Sequence, residues 1–255
     1  MTLHYTAYTG KGSRQNQNED RILVADRIAA HGTYSGTESG TLFAAVCDGV
    51  GGEAGGAAAA QLAAEDLRSV PDVCSSPVSV LRHIYRVNAE ILRQQKEGFS
   101  RMATTAAGLL CYRERFIAFY IGDTRIYRTE NGSVRQISSD HTVTENGRLR
   151  LSSYLGGSGG ACQPAVRCGS FHANAEELLI CTDGIYRAIP EAVLHGILLS
   201  GHTPAEKQHL LLKAAERCGS DDDRSLVLIR YENPSASSES SSGSPKETRR
   251  TSRNA

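Results

Sequence analysis

Leu42-Phe43-Ala44-Ala45-Val46-Cys47-Asp48-Gly49-Val50-Gly51-Gly52 is an apolar run that stops abruptly on an acid and a glycine-rich turn. The run is too short for a helix and reads as a buried strand that delivers Asp48 at its end. Two more runs repeat the pattern: Leu178-Leu179-Ile180-Cys181 leads into Thr182-Asp183-Gly184, and Leu226-Val227-Leu228-Ile229 follows Asp222-Asp223. A fourth acidic patch, Asn18-Glu19-Asp20, lies at the edge of another strand-like stretch. A lone Asp-Gly is ordinarily a turn. Four acidic patches at strand ends instead describe a carboxylate-lined metal centre, because converging carboxylates repel one another unless cations sit between them. An all-oxygen donor set without thiolate or imidazole favours Mg²⁺ or Mn²⁺ over Zn²⁺.

Working outward, branched and aromatic residues between turn signals predict strands near 3–9, 21–27, 41–47, 104–112, 115–121, 125–129, 134–137, 165–171, 177–182 and 225–231. Helices are predicted over 55–70, 78–95, 190–199 and 204–218, the last two with proline at or near the first turn, where a missing N–H costs nothing. Hairpin spacing around Arg113-Glu114 and Asn131-Gly132 makes the sheets largely antiparallel. The expected fold is α+β: an α-β-β-α sandwich of two mainly antiparallel sheets flanked by helix pairs, rather than a doubly wound sheet.

The 255 residues suffice for one large domain, expected over 1–232. From 233 to 255 the Ser-rich sequence has no apolar period and reads as a disordered, solvated tail whose basic end, Arg249-Arg250-Thr251-Ser252-Arg253, could also serve as a docking arm or a site for a basic-directed kinase. Basic and acidic residues balance at 28 each, so no global field points to nucleic acid or to a membrane. No leader pattern and no stretch of membrane-spanning length is present, and a cytoplasmic location is expected. The seven cysteines form no C-x-x-C pair and are read as reduced, mostly buried residues.

The ordered motifs Arg14…Asn18-Glu19-Asp20-Arg21, Val46-Cys47-Asp48-Gly49-Val50-Gly51-Gly52, Ala103-Thr104-Thr105-Ala106, Ile121-Gly122-Asp123-Thr124-Arg125-Ile126-Tyr127, Ser139-Asp140-His141-Thr142, Cys181-Thr182-Asp183-Gly184-Ile185-Tyr186 and Gly219-Ser220-Asp221-Asp222-Asp223-Arg224-Ser225-Leu226-Val227 carry a resemblance. Over residues 5–231 the chain resembles the metal-dependent serine/threonine protein phosphatases of type 2C, the PPM family, and its compact bacterial members most. That resemblance implies that Asp48 bridges two metals, that Asp183 and Asp222 complete the shell of one, and that Asp20, with Glu19 beside it, and the Gly49 carbonyl hold the other. It further implies a metal-activated water as nucleophile in place of a covalent phosphoenzyme, with Arg14 clamping the substrate phosphate. Asp123 matches the ligand of a weaker third metal. A phosphorylated protein substrate is implied, with a serine/threonine kinase or its forkhead-associated target as the natural partner.

Several positions depart from the family pattern. Arg14 stands six residues before Asp20, where five is usual, and Val50 replaces a histidine found in some relatives. Arg187 stands four residues after Asp183, where relatives often carry an acid; Asp123 is equally readable as a turn-capping residue. Asp223 replaces the commoner asparagine and could either tighten metal binding or spoil local hydrogen bonds. His141 is expected to be structural. Residues 144–164, rich in glycine, read as a flap over the cleft, with Leu149 and Tyr154 as its apolar contacts. Alternatives to the protein phosphatase are a catalytically weak scaffold, a small-molecule phosphomonoesterase and a different two-metal hydrolase, though the last commonly mixes histidines with its acids.

Overall fold

In the strand that carries Asp48 successive side chains part to opposite faces: Leu42, Ala44 and Val46 pack into one apolar cluster while Phe43, Ala45 and Cys47 pack into another. A strand buried on both faces must lie inside a layered structure. The computed structural model describes residues 1–14, 16–50, 54–96, 102–157, 161–173 and 175–233. The tail expected over 233–255 therefore falls, apart from Asn233, outside the described residues, as do Gly51, Gly52, Gly159 and Gly160.

The strands are β1 (Thr2–Gly10), β2 (Arg21–Val24), β3 (Arg27–Ala29), β4 (Gly32–Ser39), β5 (Thr41–Cys47) and β6 (Gly49–Val50), then β7 (Ala103–Thr104), β8 (Ala106–Tyr112), β9 (Arg115–Ile121), β10 (Arg125–Glu130), β11 (Ser133–Gln136), β12 (Thr142–Glu145), β13 (Arg148–Leu151), β14 (Ala165–Ser170), β15 (Glu177–Cys181) and β16 (Arg224–Glu232). Helices α1 (Ala54–Leu67), α2 (Val70–Val73) and α3 (Pro77–Lys96) follow β6, and α4 (Asp183–Tyr186), α5 (Glu191–Leu199) and α6 (Pro204–Arg217) follow β15. One six-stranded sheet has the order β11-β10-β15-β16-β1-β4 and the other β14-β9-β8-β5-β2-β3. Their strand pairs are antiparallel.

Three apolar layers hold the sandwich together. Between the sheets lie Leu3, Ile22, Val46, Leu109, Ile180 and Val227, all essentially inaccessible. Outside the β5 sheet, Phe43 and Phe119 meet Ala60, Ala63, Ile84 and Ile91 of α1 and α3; the alanines let α1 approach closely. Outside the β16 sheet, Leu226, Leu228 and Leu179 meet Leu194, Leu198 and Leu211 of α5 and α6. Helix α6 starts at a capping box: Glu206 N–H donates to Thr203 Oγ1 at 3.3 Å, Thr203 N–H donates to the Glu206 carboxylate at 2.8 Å, and Pro204 occupies the first turn. The expected α-β-β-α sandwich is therefore observed, each helical layer carrying one extra short helix.

Three sequence expectations change. The strand predicted over 21–27 is a hairpin, turned at Ala25 (φ 54°) and Asp26. Strand β4 was not predicted because Gly32-Thr33-Tyr34-Ser35-Gly36-Thr37-Glu38-Ser39 is polar and turn-like; it is an edge strand fixed by main-chain pairing to β1. The front of the 144–164 segment is not a loop but the hairpin β12–β13, turned at Asn146 (φ 51°) and Gly147 (φ 74°), the left-handed pair favoured in two-residue hairpins. Among the described residues, no helix is long and apolar enough to cross a membrane.

Candidate metal centre

Strand register brings the acids to one edge of the sandwich. Arg21 pairs with Cys47, so Asp20, just before β2, stands opposite Asp48, just after β5. On the other sheet Cys181 pairs with Leu226, which sets Asp183 at the end of β15 beside Asp222 ahead of β16. Asp123 leaves the end of β9 in a turn at Gly122. Glu19, Asp48, Gly49, Asp123, Asp183 and Asp222 all line one cleft of about 730 Å³, together with Arg14, Arg150 and Arg187. Asp20 lies deeper, 1% exposed, and accepts from Thr182 Oγ1 at 3.2 Å. Of the first acidic pair, then, Glu19 faces the cleft and Asp20 underpins it.

Close backbone approach sets the positions. A Cβ on Gly49 would meet the Gly56 carbonyl at 2.6 Å and the Glu19 carbonyl at 2.8 Å, so only glycine lets the loop after Asp48 lie against α1 and the Glu19 main chain. Gly184 is tighter still: a Cβ there would overlap the Asp223 carbonyl. Gly184→Ala is expected to destabilise the protein by about 1–3 kcal/mol, the range of overpacked sites, read as a lower denaturant midpoint at unchanged slope. An unchanged midpoint would show that the α4–β16 contact yields at little cost.

A second ring of residues holds the acids in place. Asp48 N–H donates to Thr105 Oγ1 at 3.1 Å, while Thr105 N–H and Thr104 Oγ1 donate to the Asp48 carbonyl, each at 2.8 Å. Thr182 Oγ1 accepts from Ser225 N–H at 3.0 Å while donating to Asp20. Asp223 accepts Gly12 N–H at 2.8 Å and Glu19 N–H at 2.7 Å. Its charge thus organises the Arg14 loop and the Glu19 backbone, work that the single carbonyl oxygen of an asparagine could not share between its two ends. His141 is structural as expected: Gly122 N–H donates to its Nδ1 at 3.4 Å, its ring tilts onto Tyr120, and burial lowers its pKa.

The electrostatics are those of crowded anions. Burial, then the charges of Asp20, Asp183, Asp123 and Asp222, raise the Asp48 pKa well above the usual carboxylate range. Asp20 is raised by burial and by Asp223 and Asp183, against the hydrogen bonds from Ser225 and Thr182. Burial pushes Asp183 up to about 6 although Arg187 opposes it, with Asp123 and Asp222 adding to the rise. Two guanidiniums offset part of the charge: Arg14 Nη1 lies 3.0 Å from Asp222 Oδ2, and Arg187 spans Asp183 and Asp123 at 2.6 Å each. Among the described residues no three acidic, histidine or cysteine side chains already stand as a ready-made metal-binding group. The donor set nonetheless fits hard divalent cations: five carboxylates face three guanidiniums across the cleft, all donors are oxygen, and the acids raise one another's pKa.

These shifts fix the sign of a pH effect. An aspartate whose folded pKa lies above its unfolded one costs stability once ionised. For Asp183 that cost is absent below about 4, the unfolded value, builds as pH rises through about 6, and stands in full above it. A divalent cation removes the cost and competes with protons for the same oxygens. Saturating Mn²⁺ is therefore expected to raise Tm more at about pH 7.5 than at about pH 5.5. Equal increments would place the ion elsewhere.

Known proteins share this sequence pattern and fold. A protein phosphatase 2C family model matches residues 20–210. The serine/threonine phosphatase stp of Listeria innocua is 23% identical over 255 residues, covering 89% of this chain and 95% of its own length. The serine/threonine phosphatase PstP of Mycobacterium tuberculosis superposes with a TM-score of 0.76 at 24% identity, covering 91% of this chain and 100% of that structure. The PstP catalytic domain solved with two manganese ions gives a TM-score of 0.74 at 23% identity, with the same coverage. The family model covers every strand of the β5 sheet, β4, β10, β11 and β15 of the other, and the strand ends that carry Asp20, Asp48, Asp123 and Asp183, and the chain belongs to the protein phosphatase 2C family.

Proposed function

We propose that the protein hydrolyses phosphoserine and phosphothreonine monoesters on proteins, with two divalent cations, Mn²⁺ or Mg²⁺, held by Asp20, Asp48, Asp183, Asp222, Glu19 and the Gly49 carbonyl. The observation that carries this reading is the convergence of carboxylates from both sheets on one cleft with Arg14 among its lining residues. When bound, such ions supply an acidified water as nucleophile and charge to offset the phosphoryl oxygens. The chain's own residues position the rest. Arg14, more than half exposed, offers a forked cation to two phosphate oxygens. Asp48, pinned through its main chain by Thr104 and Thr105, presents its side chain to the cleft. No cysteine is needed as nucleophile; burial pushes the Cys47 thiol beside Asp48 up to about 12.

A protein substrate is favoured over a small monoester by the flap. Leu149, Arg150 and Leu151 of β13, and Tyr154 beyond it, line the same cleft, and Leu149 is 55% exposed. An exposed apolar side chain beside a polar cleft suits a peptide flanking the phosphorylated residue. The natural client is a serine/threonine kinase or that kinase's target. The test is phosphate release from phosphothreonine and phosphoserine peptides, from a phosphotyrosine peptide and from a sugar phosphate, each with Mn²⁺ and with a chelator. Release from the first two that requires Mn²⁺ is expected. Release confined to the sugar phosphate would make the protein a small-molecule phosphatase, and release that survives the chelator would remove the metal from the mechanism.

A further inference from the structure

Arg187 follows α4 directly and lies one helical turn after Asp183, so its side chain falls back over that carboxylate. Its fork does not bind one acid bidentately. Nη1 lies 2.6 Å from Asp183 Oδ2, and Nη2 donates to Asp123 Oδ2, also at 2.6 Å. These two carboxylates come from different sheets, Asp183 from the end of β15 and Asp123 from the end of β9. The Asp123 side chain is 9% exposed and Arg187 45%, so the guanidinium enters from the cleft and the acid waits behind it. Burial raises the pKa of both acids, and the charge of Asp123 raises that of Asp183 further. Left alone, such a pair holds a proton or recruits a cation. A guanidinium stays charged throughout the physiological range and is tethered by the chain.

We propose that Arg187 is a positioning residue of the metal centre, supplying with its own guanidinium the positive charge that Asp123 and Asp183 would otherwise take from a free cation. The proposal rests on the cation-binding reading above, and it removes Asp123 from the ligands while leaving one Asp183 oxygen for a metal. It has three consequences. The cleft takes one ion fewer than its carboxylates could hold. The Asp183 carboxylate is oriented before any ion arrives. Charge at this corner of the cleft does not vary with metal concentration.

The test is the number of Mn²⁺ ions bound per chain, by equilibrium dialysis near neutral pH, for the wild type, Asp123→Asn, Arg187→Ala and the double variant, with folding followed by circular dichroism. D123N is expected to bind as many ions as the wild type. R187A is expected to gain one ion, and R187A/D123N to lose that gain. If D123N binds one ion fewer than the wild type, or if folded R187A gains none, the proposal is wrong. D123N keeps the Arg187–Asp183 pair, so it decides the matter even if R187A does not fold. A wild type that binds fewer than two ions, with the gain in R187A intact, would count against the two-cation reading and uphold the role of Arg187.

Discussion

Asp48→Asn is expected to lower Mn²⁺-dependent phosphate release by at least about a thousandfold, ~4 kcal/mol of transition-state stabilisation, while the protein stays folded. The substitution keeps the shape of the side chain and leaves all three main-chain ties to Thr104 and Thr105 in place. It removes the charge at the point where Asp20, Asp183, Asp123 and Asp222 all bear on one carboxylate. The same crowding predicts an opposite effect on stability. Without metal, asparagine relieves the repulsion that raises the Asp48 pKa, so the metal-free variant should melt no lower than the metal-free wild type. With Mn²⁺, the wild type should gain stability and the variant should gain little. A variant that turns over normally, or that loses activity only because it unfolds, would remove Asp48 from the centre of the mechanism.

The second large effect is expected at Arg14, where Ala should lower kcat/KM about a hundredfold, ~2.7 kcal/mol. Arg14 bonds Asp222 through Nη1 at 3.0 Å and is 61% exposed, so the guanidinium has room to turn towards a phosphate. Its loop is not loose. Arg14 N–H donates to the Asp221 carbonyl at 2.9 Å, and Gly12 N–H donates to Asp223, so the residue is anchored beside β16 despite standing one position further from Asp20 than the family pattern has it. As a clamp, its loss should leave the Mn²⁺ concentration for half-maximal activity unchanged, and lysine should recover little, because a point charge cannot fork onto two oxygens. As a mere tether of Asp222, its loss should shift the Mn²⁺ requirement, and lysine should restore it. The two outcomes separate phosphate recognition from metal positioning.

What could be read in the sequence was what side-chain chemistry alone determines. Asp48, Asp183 and Asp222 sit where apolar runs stop, and a strand end can put its last side chain only at the sheet edge, so their convergence followed from the pattern. The hairpins at Arg113-Glu114 and Asn131-Gly132 were legible from the spacing of the strand-like runs on either side, and in the structure both pairs have the positive φ of tight two-residue turns. The Asn146-Gly147 hairpin carries the same signal, but the glycines that follow it masked β12 and β13. Strand β4 was hidden for another reason: its pairing lies in main-chain hydrogen bonds to β1, to which side-chain pattern is blind. The buttressing by Thr105, Thr182 and Asp223 was equally invisible, since each acts on a residue far away in sequence. Arg187 lay between these cases. Its charge beside the acids was plain, but that it spans two carboxylates from two sheets needed the fold.

The central claim is that the carboxylates of both sheets hold two divalent ions around Asp48. It is tested most directly by diffraction from crystals soaked in Mn²⁺, with data collected at the manganese edge. Two anomalous peaks flanking the Asp48 carboxylate are expected, one towards Asp183 and Asp222 and the other towards Asp20, Glu19 and the Gly49 carbonyl. No peak in the cleft, or a single peak away from Asp48, would contradict the account.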